Sequence, residues 1–277
     1  MNQTIGFIGG GNMAASLIGG MATAGANHRQ LMVYDPDATR CAQLQRDYGV
    51  HIAADNNALV TQSDVIVLAV KPQVLKQVLE PLGEVCRDKR PLILSIVAGI
   101  RIDSILRWLN CDLPVIRAMP NTPALVGLGA TGMFANAAVS DQQRALAKTL
   151  LDAVGLSCWV KNESDIDAVT ALSGSSPAYF MRFLEALIEA GTDAGLAADT
   201  SAALALQTMR GTAHLVGSSD QALAQLITNV TSPQGTTERA LSALDSGGLK
   251  DLVKTAFSAA QQRAGELAEE LDPDSVN

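Results

Sequence analysis

Short β-branched runs alternate with longer helical patterns through the first 163 residues of the chain. Ile5–Ile8 predicts a first strand, and Met13–Ala24 predicts a helix stopped by Gly25. Leu31–Tyr34 predicts a second strand, followed by a helix over Ala38–Tyr48 that ends at Gly49. Asp64–Val70 is a continuous apolar run, the pattern of a parallel strand covered on both faces. Further strands are expected at Leu92–Val97 and Val115–Ala118, with two more candidates at Met133–Ala135 and Ser157–Val160. Repetition of strand, helix and strand predicts an α/β domain with a doubly wound, Rossmann-type parallel sheet.

The pattern changes near Glu163, after which no strand is predicted. Pro177–Ala190 is apolar almost all round its circumference, which predicts a helix buried on all sides, against its own core and a partner subunit. Helices follow over Thr200–Val216, with Asp199 or Thr200 as N-cap, and over Gln221–Asn229 and Thr237–Leu244. The last helix, Leu249–Leu271, places apolar residues at Leu249, Leu252, Val253, Ala256, Phe257, Ala260, Ala264 and Leu267, the spacing of a one-faced helix. The expected organisation is a dinucleotide-binding domain over 1–163 and an all-helical domain over 164–277.

Composition narrows the chemistry. The chain has 277 residues, 48% of them apolar and 17% charged, which excludes a disordered chain and allows a large core without disulfide or metal staples. Aromatic residues are 4% and histidines number 3, which argues against stacking platforms for nucleic acid and against a multi-histidine metal centre. The net charge of −8 gives no basic footprint for DNA or RNA. Cys41, Cys86, Cys111 and Cys158 form no C-x-x-C motif and suit a reducing compartment. The N-terminus runs straight into the first strand, unlike a signal peptide, and no run of ~18 apolar residues predicts a membrane span. A cytoplasmic protein with no metal, nucleic-acid or membrane partner is expected.

Gly9-Gly10-Gly11-Asn12-Met13-Ala14 fits G-x-G-x-x-A between a strand and a helix. In that setting Gly9 permits the tight turn, Gly11 lets the backbone approach a pyrophosphate, and Ala14 lets helix and strand pack closely. Asp35 ends the second strand about 20 residues further on, where an acid binds a ribose 2′-OH and favours NAD. Arg40 instead suits a 2′-phosphate, and Asp35 and Asp37 also read as turn residues beside Pro36. The sequence leaves the choice open.

Thr231-Ser232-Pro233-Gln234-Gly235-Thr236-Thr237-Glu238 leads into a helix whose free N–H groups and hydroxyls suit a carboxylate; an ordinary capping box is the alternative reading. Ser173-Gly174-Ser175-Ser176-Pro177 reads as a helix start with Ser176 as N-cap, or as a place of close approach by a ligand or a partner backbone. Arg117-Ala118-Met119-Pro120-Asn121-Thr122-Pro123 and Val70-Lys71-Pro72 are loops at the carboxyl ends of strands, where doubly wound sheets bind ligands.

Together with Ile5–Ala14 and Ala69–Pro72, these segments resemble the pyrroline-5-carboxylate reductases across essentially the whole chain. The resemblance implies reduction of the cyclic imine of 1-pyrroline-5-carboxylate to L-proline by NADPH or NADH, in a homodimer that assembles further to a decamer. It also implies the site. Gly9, Gly11, Asn12 and Met13 would hold the pyrophosphate, and Asn56 the adenosine ribose region. Ala69, Val70, Lys71 and Pro72 would line the cofactor groove, with Met119, Asn121 and Thr122 near the nicotinamide. Asn229, Ser232, Gly235, Thr236 and Thr237 would receive the substrate, and Ser175 and Thr237 would stand at the reacting centre.

One departure concerns Gln234, where the family usually has glycine; a positive φ there would strain it. His28, His51 and His214 lie in no motif, so the reaction is expected to need no histidine. Rival readings are a related imine reductase, a β-hydroxyacid dehydrogenase, and a cofactor-binding sensor without turnover. The second rival needs a lysine on an interdomain helix, and the helical half offers only Lys250 and Lys254 in its last helix.

Overall fold

The computed structural model describes residues 3–25 and 30–272. Eight strands form one sheet in the order β3-β2-β1-β4-β5-β6-β7-β8: β1 Ile5–Ile8, β2 Leu31–Tyr34, β3 His51–Ile52, β4 Val65–Leu68, β5 Leu92–Ser95, β6 Val115–Met119, β7 Gly129–Ala135 and β8 Gly155–Trp159. Every neighbouring pair is parallel except β6 and β7, so the expected all-parallel sheet is corrected at one step. A short antiparallel return needs no crossover helix, and only a 3₁₀ turn over Thr122–Val126 separates β6 from β7.

Alternation along each strand feeds two cores. Ile5 and Phe7 of β1 and Val65 and Val67 of β4 enter one, with α1 (Asn12–Thr23) and α7 (Asp141–Asp152) packed over it. Ile8, Ile66 and Leu68 enter the other, covered by α3 (Asn56–Gln62), α4 (Pro72–Leu79), α5 (Gly83–Lys89) and α6 (Ile102–Leu109). A strand apolar at every position is therefore a strand with two buried faces. The helix α2 (Ala38–Tyr48) closes at Gly49 in the left-handed region, as its glycine predicts.

The chain divides into two compact units. Residues 3–175 of the described chain and the end of the last helix from Ala260 form the first, and Ser176–Ala259 the second. The boundary expected at 163/164 falls inside the first unit. Within it, α8 (Asp165–Val169) passes into a π-helical turn over Thr170–Gly174, and the chain is already helical when it reaches α9 (Ser176–Asp193). Ser176 is thus the first residue of α9 rather than the cap of a new helix.

The second unit holds α9, α10 (Ala198–Gly217), α11 (Leu223–Asn229), α12 (Thr236–Ser246) and the first part of α13 (Leu249–Leu271). The N-cap of α10 is Ala197, not Asp199 or Thr200, because the alanine-rich segment turns helical before either polar residue. The expectation that α9 is buried on all sides is corrected: none of its residues is buried within a single chain, and Phe180 and Met181 are 64% and 61% exposed. An apolar circumference with no cover from its own chain belongs to a surface that another chain buries.

Candidate functional site

The glycine loop is built by crowding. Gly9 has φ +100°, and its N–H donates to the Tyr34 carbonyl at 2.8 Å. A Cβ there would lie 2.7 Å from the Ala69 carbonyl oxygen, so only glycine fits between the ends of β2 and β4. Gly11 is the N-cap of α1, and no side chain caps the helix. The first-turn N–H groups of Asn12 and Met13 and the positive end of the helix dipole therefore face outward with no polar side chain of the protein upon them. Free N–H groups at a glycine-lined helix start suit a pyrophosphate.

Asp35 is part of this loop. Its Oδ2 accepts from the Gly10 N–H at 2.7 Å and its Oδ1 from the Asp37 N–H at 2.9 Å. Arg40 pairs with Asp37 at 3.4 Å, and its Nη1 lies 3.9 Å from the position of a Cβ on Gly11. A cleft of about 350 Å³ opens beside Asp35, lined by Tyr34, Pro36, Cys41, Ile52 and Ala53 among others.

Asn56 opens α3, which Asp55 caps through the Ala58 N–H at 2.7 Å. The Asn56 Oδ1 is buried and has no hydrogen-bond partner in the protein. A buried acceptor without a donor is costly, so a ligand hydroxyl fits there. Ala69 extends β4 by donating to the Ile8 carbonyl at 2.9 Å, Val70 packs against the second core, and exposed Lys71 caps α4 ahead of Pro72. Gly9, Gly11, Asn12, Met13, Asp35, Arg40, Asn56 and Ala69–Pro72 all lie in the first unit.

Asn121 proves to be a brace. Its Oδ1 accepts from the Ala130 N–H and its Nδ2 donates to the Ser173 carbonyl, both at 2.9 Å. The side chain ties the β6 end to β7 and to the π-turn. Met119 reinforces the tie, since a Cβ on Gly174 would lie 2.8 Å from its Cε. Thr122 opens the 3₁₀ turn. The Ser175 N–H donates to the Thr170 carbonyl at 2.8 Å, the widened step of the π-turn. π-turns recur at functional sites because they re-aim the side chains that follow.

Beneath this turn lies a cluster without an assigned role in the sequence reading. Arg117, 2% exposed, reaches Glu163 at 3.3 Å and Asp167 at 3.5 Å, and Arg101 reaches Asp167 at 3.1 Å. Burial lowers the Arg117 guanidinium pKa, and the two carboxylates oppose that shift. An arginine flanked by Val115, Ile116 and Ala118 was the available signal that a buried partner exists.

In the second unit, the loop before α12 forms a second open helix start. Gly235 is its N-cap with no side-chain cap, and its N–H donates to the Ser232 carbonyl at 3.0 Å. The N–H groups of Thr236 and Thr237 form the first turn. Gln234 sits at φ +59°, in the left-handed region, and its N–H donates to the Glu238 carboxylate. Asn229 is held by Gln221 at 2.8 Å and Gln225 at 2.9 Å. His51 lies on β3 and His214 on α10, both exposed and remote in sequence from every loop named above; His28 lies outside the described residues. Among the described residues, no cluster of three His, Cys, Asp or Glu side chains suits a metal, and no helix is long and apolar enough to cross a membrane.

Comparison with known proteins agrees with this division. A family described as pyrroline-5-carboxylate reductase dimerisation matches residues 163–267, and one described as NADP oxidoreductase, coenzyme F420-dependent, matches 4–99. The chain is 45% identical to a pyrroline-5-carboxylate reductase of Pseudomonas aeruginosa, over 96% of this chain and 97% of that one. It is 40% identical to one of Synechocystis, over 96% and 99%. Among solved structures, a pyrroline-5-carboxylate reductase of Coxiella burnetii superposes with a TM-score of 0.93 at 40% identity, covering 97% of this chain and 99% of that one. The Plasmodium falciparum pyrroline carboxylate reductase with NADP bound gives 0.84 at 31%, covering 96% and 98%. An imine reductase of Myxococcus stipitatus, at 17% identity and a TM-score of 0.56, shares the fold.

Proposed function

The chain belongs to the pyrroline-5-carboxylate reductase family, and we propose that it reduces the C=N bond of 1-pyrroline-5-carboxylate to L-proline with NADPH or NADH. The observation that carries this reading is the Gly9–Met13 loop, a cradle that a single Cβ would fill, opening onto uncapped N–H groups. The unpartnered Asn56 Oδ1 supports the same reading, since it suits a ribose hydroxyl.

The dinucleotide, when bound, supplies the hydride that ends on the imine carbon. The protein's own part is positioning. Gly11, Asn12 and Met13 hold the pyrophosphate with backbone N–H groups; Asp35, Arg40 and Asn56 meet the adenosine half. Ala69, Val70, Lys71 and Pro72 line the groove, and Met119, Asn121 and Thr122 shape the nicotinamide end. Ser232, Gly235, Thr236 and Thr237 receive the substrate carboxylate and ring, with Asn229 holding the loop's approach. The imine nitrogen gains one proton as its carbon gains the hydride; it arrives as an iminium or takes the proton through the Thr237 hydroxyl and water. Ser175 flanks the reacting atoms. No step calls on a histidine.

The two domains of this reading are 1–163 for the dinucleotide and 164–277 for substrate and assembly. The exposed apolar surface of α9 supports a homodimer, with assembly to a decamer as the further step. A cytoplasmic setting suits four free cysteines.

Steady-state assay of the purified chain with 1-pyrroline-5-carboxylate tests the reading. The expected result is substrate-dependent oxidation of NADPH or NADH. Cofactor binding without oxidation would make the chain a sensor; oxidation with a keto acid instead would make it a hydroxyacid dehydrogenase. Thr237→Ala should raise KM and lower kcat, and wild-type kinetics in that variant would remove Thr237 from the site.

A further inference from the structure

We propose that Asp35 is the residue that discriminates between the two dinucleotides, and that it selects NADH over NADPH. This rests on the reading of the Gly9–Met13 loop as a dinucleotide site. Two observations independent of sequence spacing carry it.

The first is how the carboxylate is held. Both Asp35 oxygens accept backbone N–H groups, Gly10 at 2.7 Å and Asp37 at 2.9 Å. Asp35 is therefore not a solvated turn residue free to swing away from an anion. It is a negative charge pinned to the second glycine of the loop. A carboxylate has about four acceptor sites, so two remain for a vicinal ribose diol. A 2′-phosphate brings about −1.5 to −2 charge and no donor at neutral pH, and would meet this carboxylate head-on.

The second is what surrounds it. The cleft beside Asp35 is lined by Tyr34, Pro36, Ala38, Cys41, Ala42, Gln45, Ile52 and Ala53, with no cation among them. The nearest candidate cation is Arg40, and its guanidinium is paired with Asp37 at 3.4 Å. The same guanidinium lies against Gly11, whose Cβ position is 3.9 Å from Nη1. Arg40 thus stands over the pyrophosphate turn with its charge already shared. Asp35, Asp37 and Arg40 together leave the region with a net negative charge, which repels a 2′-phosphate and leaves a 2′-hydroxyl unaffected.

Equilibrium titration of the full chain with NADH and with NADPH, without substrate, reads this directly through nicotinamide fluorescence. The expected dissociation constant for NADPH is about tenfold or more above that for NADH at low salt, with the gap narrowing as salt rises. Asp35→Asn keeps an acceptor for the Gly10 N–H and removes the charge. It should tighten NADPH by about tenfold while changing NADH by less than about threefold. Asp35→Ser serves as the second variant and should move the ratio the same way. Equal or tighter NADPH binding in the wild type overturns the proposal and leaves the reductase reading intact. Equal weakening of both dinucleotides in both variants also overturns it, because Asp35 would then only brace the loop. Failure of the wild type to bind either dinucleotide would instead remove the reading on which the proposal rests.

Discussion

Replacing Asn121 by alanine separates a residue that braces the site from one that touches the cofactor. The side chain makes two hydrogen bonds of 2.9 Å, to the Ala130 N–H and the Ser173 carbonyl, and Asn121 is 8% exposed. Each bond contributes about 1 kcal/mol net, and an orphaned buried donor costs about 1–3 kcal/mol. Asn121→Ala should therefore destabilise the protein by roughly 2–4 kcal/mol, and Tm falls about 2–4 °C per kcal/mol in a domain of this size. A drop of roughly 5–15 °C is expected by scanning calorimetry at one fixed protein concentration. The π-turn that carries Ser173, Gly174 and Ser175 loses its tether to β6, so kcat should fall as well. Cofactor affinity should change by less than about threefold, because both amide atoms are already engaged within the protein. Asn121→Asp should be no better, since its carboxylate would face the Ser173 carbonyl without a proton to donate. An unchanged Tm with a cofactor dissociation constant raised tenfold would refute the bracing argument.

Gly9→Ala should abolish dinucleotide binding by equilibrium titration, because its Cβ would lie 2.7 Å from the Ala69 carbonyl at φ +100°; retained affinity would mean the loop relaxes freely. Gln234→Gly should raise Tm by a few degrees, since a left-handed non-glycine costs about 1 kcal/mol, and a lower Tm would count against strain at φ +59°. Burial pushes the Cys86 thiol from 9.0 up to about 12. A raised thiol pKa favours the protonated folded state, so its contribution to stability is full below about pH 9 and is lost as pH rises toward 12. Cys86→Ala should flatten the alkaline loss of Tm between those limits; an unchanged alkaline profile would place the titrating group elsewhere.

What the sequence displayed was set by local rules. Ile5–Ile8, Leu31–Tyr34, Ala38–Tyr48 and Leu249–Leu271 have the bounds read from periodicity and glycine stops. The strand His51–Ile52 was not visible, because two exposed residues joined to β2 carry no period. The reversal of β7 was hidden for a related reason: Gly129–Ala135 would read alike in either direction. Burial of α9 was misread because an apolar helix records cover without saying which chain provides it. Within the site, the G-x-G-x-x-A loop and the strain at Gln234 were legible, the latter only through likeness to a family with glycine there. The bracing role of Asn121 was not, since Ser173 lies 52 residues away and nothing local announces the pairing. The Arg117 cluster depends in the same way on acids at Glu163 and Asp167, brought in by a separate helix.

The last helix belongs to both units, with a consequence for biosynthesis. Residues from Ala260 onward complete the first unit, where Leu267 and Leu271 pack over Gly99 and Arg107 pairs with Asp272. The second unit is thus an insertion, entered at Ser175 and left at Ala259. Domains generally fold as they emerge, the N-terminal one first. Here the nascent sheet waits for its closing segment until the ribosome has made all of Ser176–Ala259. A stalled or truncated product lacking the final turns would carry a whole helical insertion on an unfinished nucleotide domain, with the apolar seam at Gly99 left open to proteases and chaperones.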